Sequence, residues 1–294
     1  MQDPSKPIWI KENTNKADNT SNNKPDRTVT INQSGIRIFL ATPVHSECSI
    51  HYTQSLLEFQ KACFQKNILV SFSLMKSSLV TQGRNLCVAN FLTSGDYTHF
   101  LFIDSDIDFE PKTIFTMLEK DKDVIACPYP LKTVAWNKIY KRMKDGQVTD
   151  VEDMSKDGNM FPVKIGDIAK DIEVREGVME VSHAPTGCML IKAEVFQKMI
   201  KEYPDLKINQ KTILNGKEVD HEHMYNFFDT LHDKESKKWY GEDFAFCKRW
   251  TDIGGKCHIY IMDYITHIGE YPYIGRFYDE LSHAKKIDLD EKTK

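Results

Sequence analysis

The chain has no Gly-x-Gly-x-x-Gly after its first strand-like segment and no Gly-x-x-x-x-Gly-Lys-Ser/Thr anywhere. The first absence argues against a standard dinucleotide site, the second against a Walker-type phosphate loop. There is no Cys-x-x-Cys and no His-Glu-x-x-His. The seven cysteines are scattered and odd in number, so free thiols in a reducing compartment are expected, with the cytoplasm as the location. No run approaches the ~20 apolar residues of a membrane span, and the N-terminus lacks the apolar core of a secretory signal. No internal repeat is visible. Charge of one sign is also scarce: a net −4 gives no strongly basic surface to announce a nucleic-acid partner.

What the chain does have is enough apolar sequence for a sizeable core. Its 294 residues, 40% hydrophobic and 11% aromatic, suit one large α/β domain or two small ones. The centre of the pattern is Thr98–Phe109. Phe100 to Ile103 is a short apolar run, as expected for a strand buried on both faces, and it ends in Asp104, Asp106 and Asp108. Pro111 then opens a helical segment to Lys120, a position that suits proline. Carboxylates delivered at the end of a buried strand, just before a helix, lie where open α/β sheets bind ligands. Such a pair suits Mg²⁺ or Mn²⁺ and, through the ion, phosphate oxygens. Solvated turn residues explain the same pattern without function. An EF-hand loop does not explain it, because its sixth position would be Phe109 and its twelfth Phe115, where glycine and glutamate are needed.

Taken in order, residues 1–34 are polar and read as a disordered or loosely attached tail. Ile36–Ala41 reads as a strand, Tyr52–Gln65 as a helix and Ile68–Phe72 as a strand: a βαβ unit, hence a parallel sheet. Thr81–Asn85 precedes an expected helix, Leu86–Thr93, which puts Arg84 at a helix start, within reach of a diphosphate. Val124–Cys127 is a further strand, running into the rigid loop Pro128–Lys132. Trp136 to about Val174 is too long for an ordinary connection and reads as a lid or an insertion, with a basic cluster at Lys138–Lys144 whose plainest role is a solvated face. Strands follow at Val178–Ser182 and Cys188–Ile191, and a helix at Ala193–Tyr203. Pro204–Gly216 reads as loop. His221, His223 and His232 lack zinc-site spacing and a thiolate partner. Glu242 and Asp243 open a helix through Trp250, where acidic residues are stabilising in any case, and where one carboxylate is also suited to act as a general base. Lys256–Met262 reads as the last strand, with His267 just beyond it as a candidate metal or phosphate ligand.

The ordered set of Arg84-Asn85, Phe-Ile-Asp104-Ser-Asp106, Pro185-Thr-Gly187-Cys-Met-Leu-Ile, Gly-Glu242-Asp243 and Thr-His267-Ile-Gly resembles the GT-A class of nucleotide-sugar-dependent glycosyltransferases. Within it, the set is similar to the family-2-like enzymes of large DNA viruses, phages and bacteria, which serve viral or bacterial glycan synthesis. The resemblance covers about Ile36 to Gly269. It implies a Rossmann-like α/β fold with a mixed, mainly parallel sheet flanked by helices. It implies a nucleotide-sugar half at residues 35–130 and an acceptor half at 131–270; beyond it, residues 271–294 read as a C-terminal extension able to cover the site.

By the same resemblance, Thr42 and Pro43 line the nucleotide pocket and Arg84 touches the base or diphosphate. Asp104 and Asp106, the Asp-x-Asp motif, bind the sugar nucleotide through Mn²⁺ or Mg²⁺, with His267 completing the metal site. Thr186 and Gly187 form the floor beneath donor sugar and acceptor, Glu242 holds the acceptor hydroxyl, and Asp243 deprotonates it; one base opposite the leaving group favours inversion at the anomeric carbon, though retaining members share this fold. Asp108 has no assigned role. The expected donor is UDP- or GDP-linked, and the acceptor a glycan, protein or other hydroxyl. Modified DNA bases as acceptor, or a non-catalytic nucleotide- or glycan-binding module of the same fold, are the alternatives. A sugar-nucleotide pyrophosphorylase is disfavoured, because Thr42-Pro-Val-His-Ser-Glu47 is not a Gly-rich first turn.

Overall fold

The computed structural model describes residues 35–147, 150, 154, 156–166, 172–209, 211–214, 217–283 and 287–289. The expected N-terminal tail lies outside them. Strand β1 (Arg37–Val44), helix α1 (Ile50–Gln65) and strand β2 (Leu69–Lys76) form the βαβ unit, with β1 and β2 parallel from Arg37 opposite Leu69 to Val44 opposite Lys76. Ser49 starts α1 because its hydroxyl accepts the otherwise unpaired Tyr52 N–H at 3.0 Å.

Helix α2 (Val80–Ser94) follows and ends where Gly95 takes φ +71°, a left-handed cap that glycine adopts without strain. It begins earlier than the apolar pattern implies. Arg84 therefore sits a turn inside the helix instead of ahead of it. Next come β3 (His99–Ile103), β4 (Ile107–Asp108), α3 (Pro111–Glu119), β5 (Val124–Ala126) and α4 (Trp136–Lys144). The later elements are β6 (Ile172–Val174), β7 (Val178–Val181), β8 (Cys188–Lys192), α5 (Ala193–Glu202), β9 (Lys211–Leu214), β10 (Lys217–Asp220), β11 (Leu231–His232) and β12 (Trp239–Tyr240). α6 (Glu242–Asp252), β13 (Cys257–Tyr260), β14 (Ile265–Ile268), β15 (Pro272–Gly275), α7 (Phe277–His283) and β16 (Ile287–Leu289) complete the chain.

The central sheet has seven strands in the order β2-β1-β3-β8-β5-β13-β7. β2, β1, β3, β5 and β13 run one way, and β8 and β7 run against them. This is the mixed, mainly parallel α/β sheet that the resemblance implies. Alternation along the strands divides the core into two layers. Phe39, Ala41, Phe100 and Phe102 pack with Cys87, Val88 and Phe91 of α2, Phe196 of α5 and Phe246 and Trp250 of α6. Ile38, Leu40, Leu101 and Ile103 pack with Tyr52, Phe59 and Cys63 of α1 and Ile114 and Met117 of α3. Helices thus cover both faces, and Phe100 to Ile103 have no exposed surface.

Two features of the sheet position the site. β3 and β5 are parallel, so their C-terminal ends share one edge. β8 lies antiparallel between them, so its N-terminal end reaches that edge too, with Cys188 opposite Ile103. Beyond the edge, β14 pairs with β4, His267 opposite Ile107, and with β15. His267 is therefore inside a strand, not after the last one. β15 and α7 pack into the body of the protein: Asn159 Nδ2 donates to the Ile274 carbonyl, and Lys138 pairs with Glu280. The 211–214 part of the expected loop is instead a hairpin strand against β10.

Candidate active site

β3 ends at Ile103, and the N–H of the next residue, Asp104, donates to the Gly187 carbonyl at 2.9 Å. Because α2 packs across β3, Arg84 comes up against that carboxylate. Its Nη1 and Nη2 donate to Asp104 Oδ1 and Oδ2 at 2.9 and 3.0 Å, and its Nε donates to Glu242 Oε1 at 3.3 Å. The guanidinium lies 5.1 Å from the centre of the Phe102 ring, and the side chain is only 4% exposed. Burial works against its charge, but Asp104 and Glu242 outweigh burial and hold it above the ordinary arginine range. Arg84 therefore ties the strand-end aspartate to the helix that begins at Glu242, 158 residues away.

A second cluster forms around Asp106. The Ile268 N–H donates to the Asp106 carbonyl at 2.7 Å, which anchors β14 beside it. Asp106 Oδ2 stands 3.4 Å from His267 Nε2 and accepts from Lys132 Nζ at 2.5 Å. Burial alone would raise the Asp106 carboxyl, but the hydrogen bonds from His267 and Lys132 hold it down at about 2. His267 Nδ1 lies 2.9 Å from the Pro130 carbonyl, which only accepts, so Nδ1 carries the hydrogen. With Nδ1 so engaged, Nε2 is the ring nitrogen that faces Asp106.

Among the described residues, no group of three or more His, Cys, Asp or Glu side chains is placed to hold a metal ion. Asp104, expected as a ligand, has both oxygens engaged by Arg84. Asp106 and His267 remain as a pair of oxygen and nitrogen donors. Two protein donors completed by substrate phosphates are enough for a hydrated divalent ion, so the pair fits Mn²⁺ or Mg²⁺ bound together with a nucleotide. The charges agree. Asp104, Asp106, Glu242 and Asp243 outnumber the permanent cations Arg84 and Lys132.

α6 presents the third group. Gly241 precedes its first turn, which carries Glu242 and Asp243. Burial and the neighbouring Glu242 push the Asp243 carboxyl up to about 6, against the pull of its hydrogen bond from the Phe244 N–H (2.7 Å) and of Arg84. Such a group is ionised at neutral pH yet keeps appreciable affinity for a proton. Between the clusters stands Tyr129. Its hydroxyl accepts from the Gly187 N–H at 3.2 Å, and its ring meets His267 edge-on at 5.0 Å. A Cβ at Gly187 would lie 2.6 Å from that ring, so only glycine lets Tyr129 close on this turn.

No family model matches this chain, and no curated protein does. Among solved structures, A197 from STIV is 15% identical over 80% of this chain and 86% of its own, with a TM-score of 0.40. A glycosyltransferase involved in glycosylation of the major capsid of PBCV-1 is 9% identical over 57% and 66%, with a TM-score of 0.25. The 4-diphosphocytidyl-2C-methyl-D-erythritol synthase of Anaerococcus prevotii is 10% identical over 74% and 99%, with a TM-score of 0.29. None reaches a TM-score of 0.5, and the function proposed below rests on the site itself.

Not every expected residue meets at this edge. Thr42 is wholly buried, and its hydroxyl is bonded to Tyr52 at 2.6 Å, so it holds β1 to α1. Pro43 is next to it on β1, half-buried. Thr186 is buried beside Gly187. Asp108 accepts from Ser55 at 2.7 Å and pins α1 to β4, a structural role. In the basic cluster, Lys138 and Arg142 pair inward with Glu280 and Asp157. His221 bonds Thr212 at 2.7 Å. A cleft of 1030 Å³ lies along β7 and β13, lined by Lys122, Glu180, Lys256 and His258, and includes none of the candidate residues. No described helix is long and apolar enough to cross a membrane. The site residues that the sequence left unmarked are Lys132 and Tyr129. The signal was present in the rigid Pro128-Tyr-Pro-Leu-Lys132 loop leaving β5, but only the strand order brings that loop to Asp106.

Proposed function

We propose that this protein is a glycosyltransferase that moves a sugar from a nucleotide-sugar donor to an acceptor hydroxyl. What carries the reading is Asp243, a carboxylate raised to about 6 on a helix start that Arg84 clamps to the strand-end aspartate. In the proposed step the acceptor oxygen forms a bond to the anomeric carbon as the bond from that carbon to the diphosphate oxygen breaks. The electron pair leaves with the diphosphate, and the acceptor proton goes to Asp243. One base facing the leaving group gives inversion. Such base catalysis contributes about 10²- to 10⁴-fold.

Glu242 accepts from a second hydroxyl of the acceptor and so sets the direction of the reacting one. Asp104, kept in place by Arg84 and 22% exposed, retains lone pairs for a donor hydroxyl. Asp106 and His267 would hold Mn²⁺ or Mg²⁺, which supplies positive charge to the leaving diphosphate. The Gly187 turn and Tyr129 form the floor. The donor is a UDP- or GDP-linked sugar, and the acceptor a glycan, protein or other hydroxyl.

A thermal-shift panel of UDP, GDP, CMP and dTDP, each with and without Mn²⁺, tests this. A ligand at ~100 times its Kd adds about 2.7 kcal/mol of stability. One nucleotide diphosphate should raise Tm, and the matching sugar nucleotide should be consumed by wild type and not by Asp243→Asn. If no nucleotide changes Tm with or without metal, the proposal is wrong.

A further inference from the structure

Lys132 is unused in the step above, yet it stands at its centre. The ammonium sits on the Asp106 carboxylate at 2.5 Å, and His267 Nε2 approaches the same oxygen. The placement is built. Two residues before Lys132, the Pro130 carbonyl binds His267, and the Leu131 N–H is fixed on the Met160 carbonyl at 2.7 Å. The stem of Lys132 crosses Gly269, where a Cβ would lie 3.1 Å from Lys132 Cδ. A flexible, half-exposed ammonium therefore occupies the place a metal cation would take on Asp106.

We infer that Lys132 is a displaceable counter-cation that makes metal and nucleotide binding depend on each other, an inference that rests on the transferase reading above. With the site empty, Lys132 neutralises Asp106 and competes with a divalent ion for it. When a nucleotide diphosphate enters with the ion, the ammonium leaves Asp106 and pairs with a diphosphate oxygen, a partner lysine suits as a point charge. The ion alone has to displace an ammonium that then has no partner. The diphosphate alone has to attract a lysine already paired. Each ligand thus supplies what the other lacks, and the enhancement is reciprocal.

The test titrates Mn²⁺ into the full chain by electron paramagnetic resonance, alone and with saturating UDP or GDP, for wild type, Lys132→Ala and Lys132→Met. The wild type should bind Mn²⁺ more tightly with the nucleotide present, within the range of about 5- to 150-fold usual for coupled sites. Both variants should bind Mn²⁺ alone more tightly than wild type, and the nucleotide should then add less than it does for wild type, only what its phosphates supply as ligands to the ion. The pair is partly exposed, so both variants should melt near the wild type. Unchanged Mn²⁺ affinity in the variants, or coupling as strong as in wild type, overturns the role of Lys132 while leaving the transferase reading intact. If neither nucleotide binds wild type in the presence of Mn²⁺, the transferase reading fails and this inference with it.

Discussion

Replacing Asp243 by asparagine should make the protein more stable and inactive at the same time. The carboxyl is raised to about 6 in the fold, first by burial and then by Glu242, against about 3.9 in an unfolded chain. A raised carboxyl binds its proton more tightly when folded. Its contribution to stability is therefore fully present below about pH 4 and is lost as pH climbs through about 6. Two units of difference correspond to about 3 kcal/mol above that point. Asparagine keeps an oxygen for the Phe244 N–H and removes the charge, so most of that energy should return. For a domain of this size the gain is a Tm rise of about 5 °C. Thermal melts of wild type and Asp243→Asn at pH 4 and pH 8 measure it. The variant should be more stable at pH 8, and the two should converge at pH 4. In parallel, wild-type transfer should fall about tenfold per pH unit below 6, as the base becomes protonated. A variant that is less stable at pH 8, or equally shifted at both pH values, would refute the account of Asp243.

Arg84→Lys should cost about 3 kcal/mol in urea unfolding, because a single ammonium cannot reproduce the paired bonds to Asp104 and the contact with Glu242, and it leaves a buried charge pair incomplete. Gly187→Ala should drive Tyr129 away from the turn, at a cost of about 1–3 kcal/mol, and should lower nucleotide affinity measured by calorimetry. Ser55→Ala removes the hydroxyl that holds Asp108 and should destabilise by about 1 kcal/mol without altering turnover, which separates the third aspartate from the first two. Phe102→Ala, in the fully buried strand beneath Arg84, should cost about 3–5 kcal/mol in the same unfolding assay.

Much of the architecture was legible from periodicity. The apolar run Phe100–Ile103 has no polar face, and it is the strand whose two sides pack against different helix layers. Leu56, Leu57, Phe59, Ala62 and Cys63 recur at helical spacing; α1 buries Phe59 and Cys63 of them, with Tyr52 and Ser55, while Leu57 is exposed. The boundary of α2 was misplaced because Thr81, Gln82 and Gly83 carry no apolar signal. The helix is extended there by tertiary packing, with a Cβ at Gly83 only 3.0 Å from Ser77 Cβ. β14 was missed for a related reason: Ile265–Ile268 gains its hydrogen bonds from β4 and β15, neither of which is readable as a strand alone.

The sequence by itself determined the layers, the strand that delivers Asp104 and Asp106, and the acidic start of α6. Burial by alternation and helix initiation by local residues are short-range effects, written within a few positions of each other. Only the tertiary structure decided which charges meet. Arg84 finds Glu242, Asp106 finds Lys132 and His267, and Tyr129 closes on Gly187 through strand order and register. No local pattern encodes those pairings, because each joins residues that become neighbours only after β8 has inserted between β3 and β5 and β14 has docked on β4.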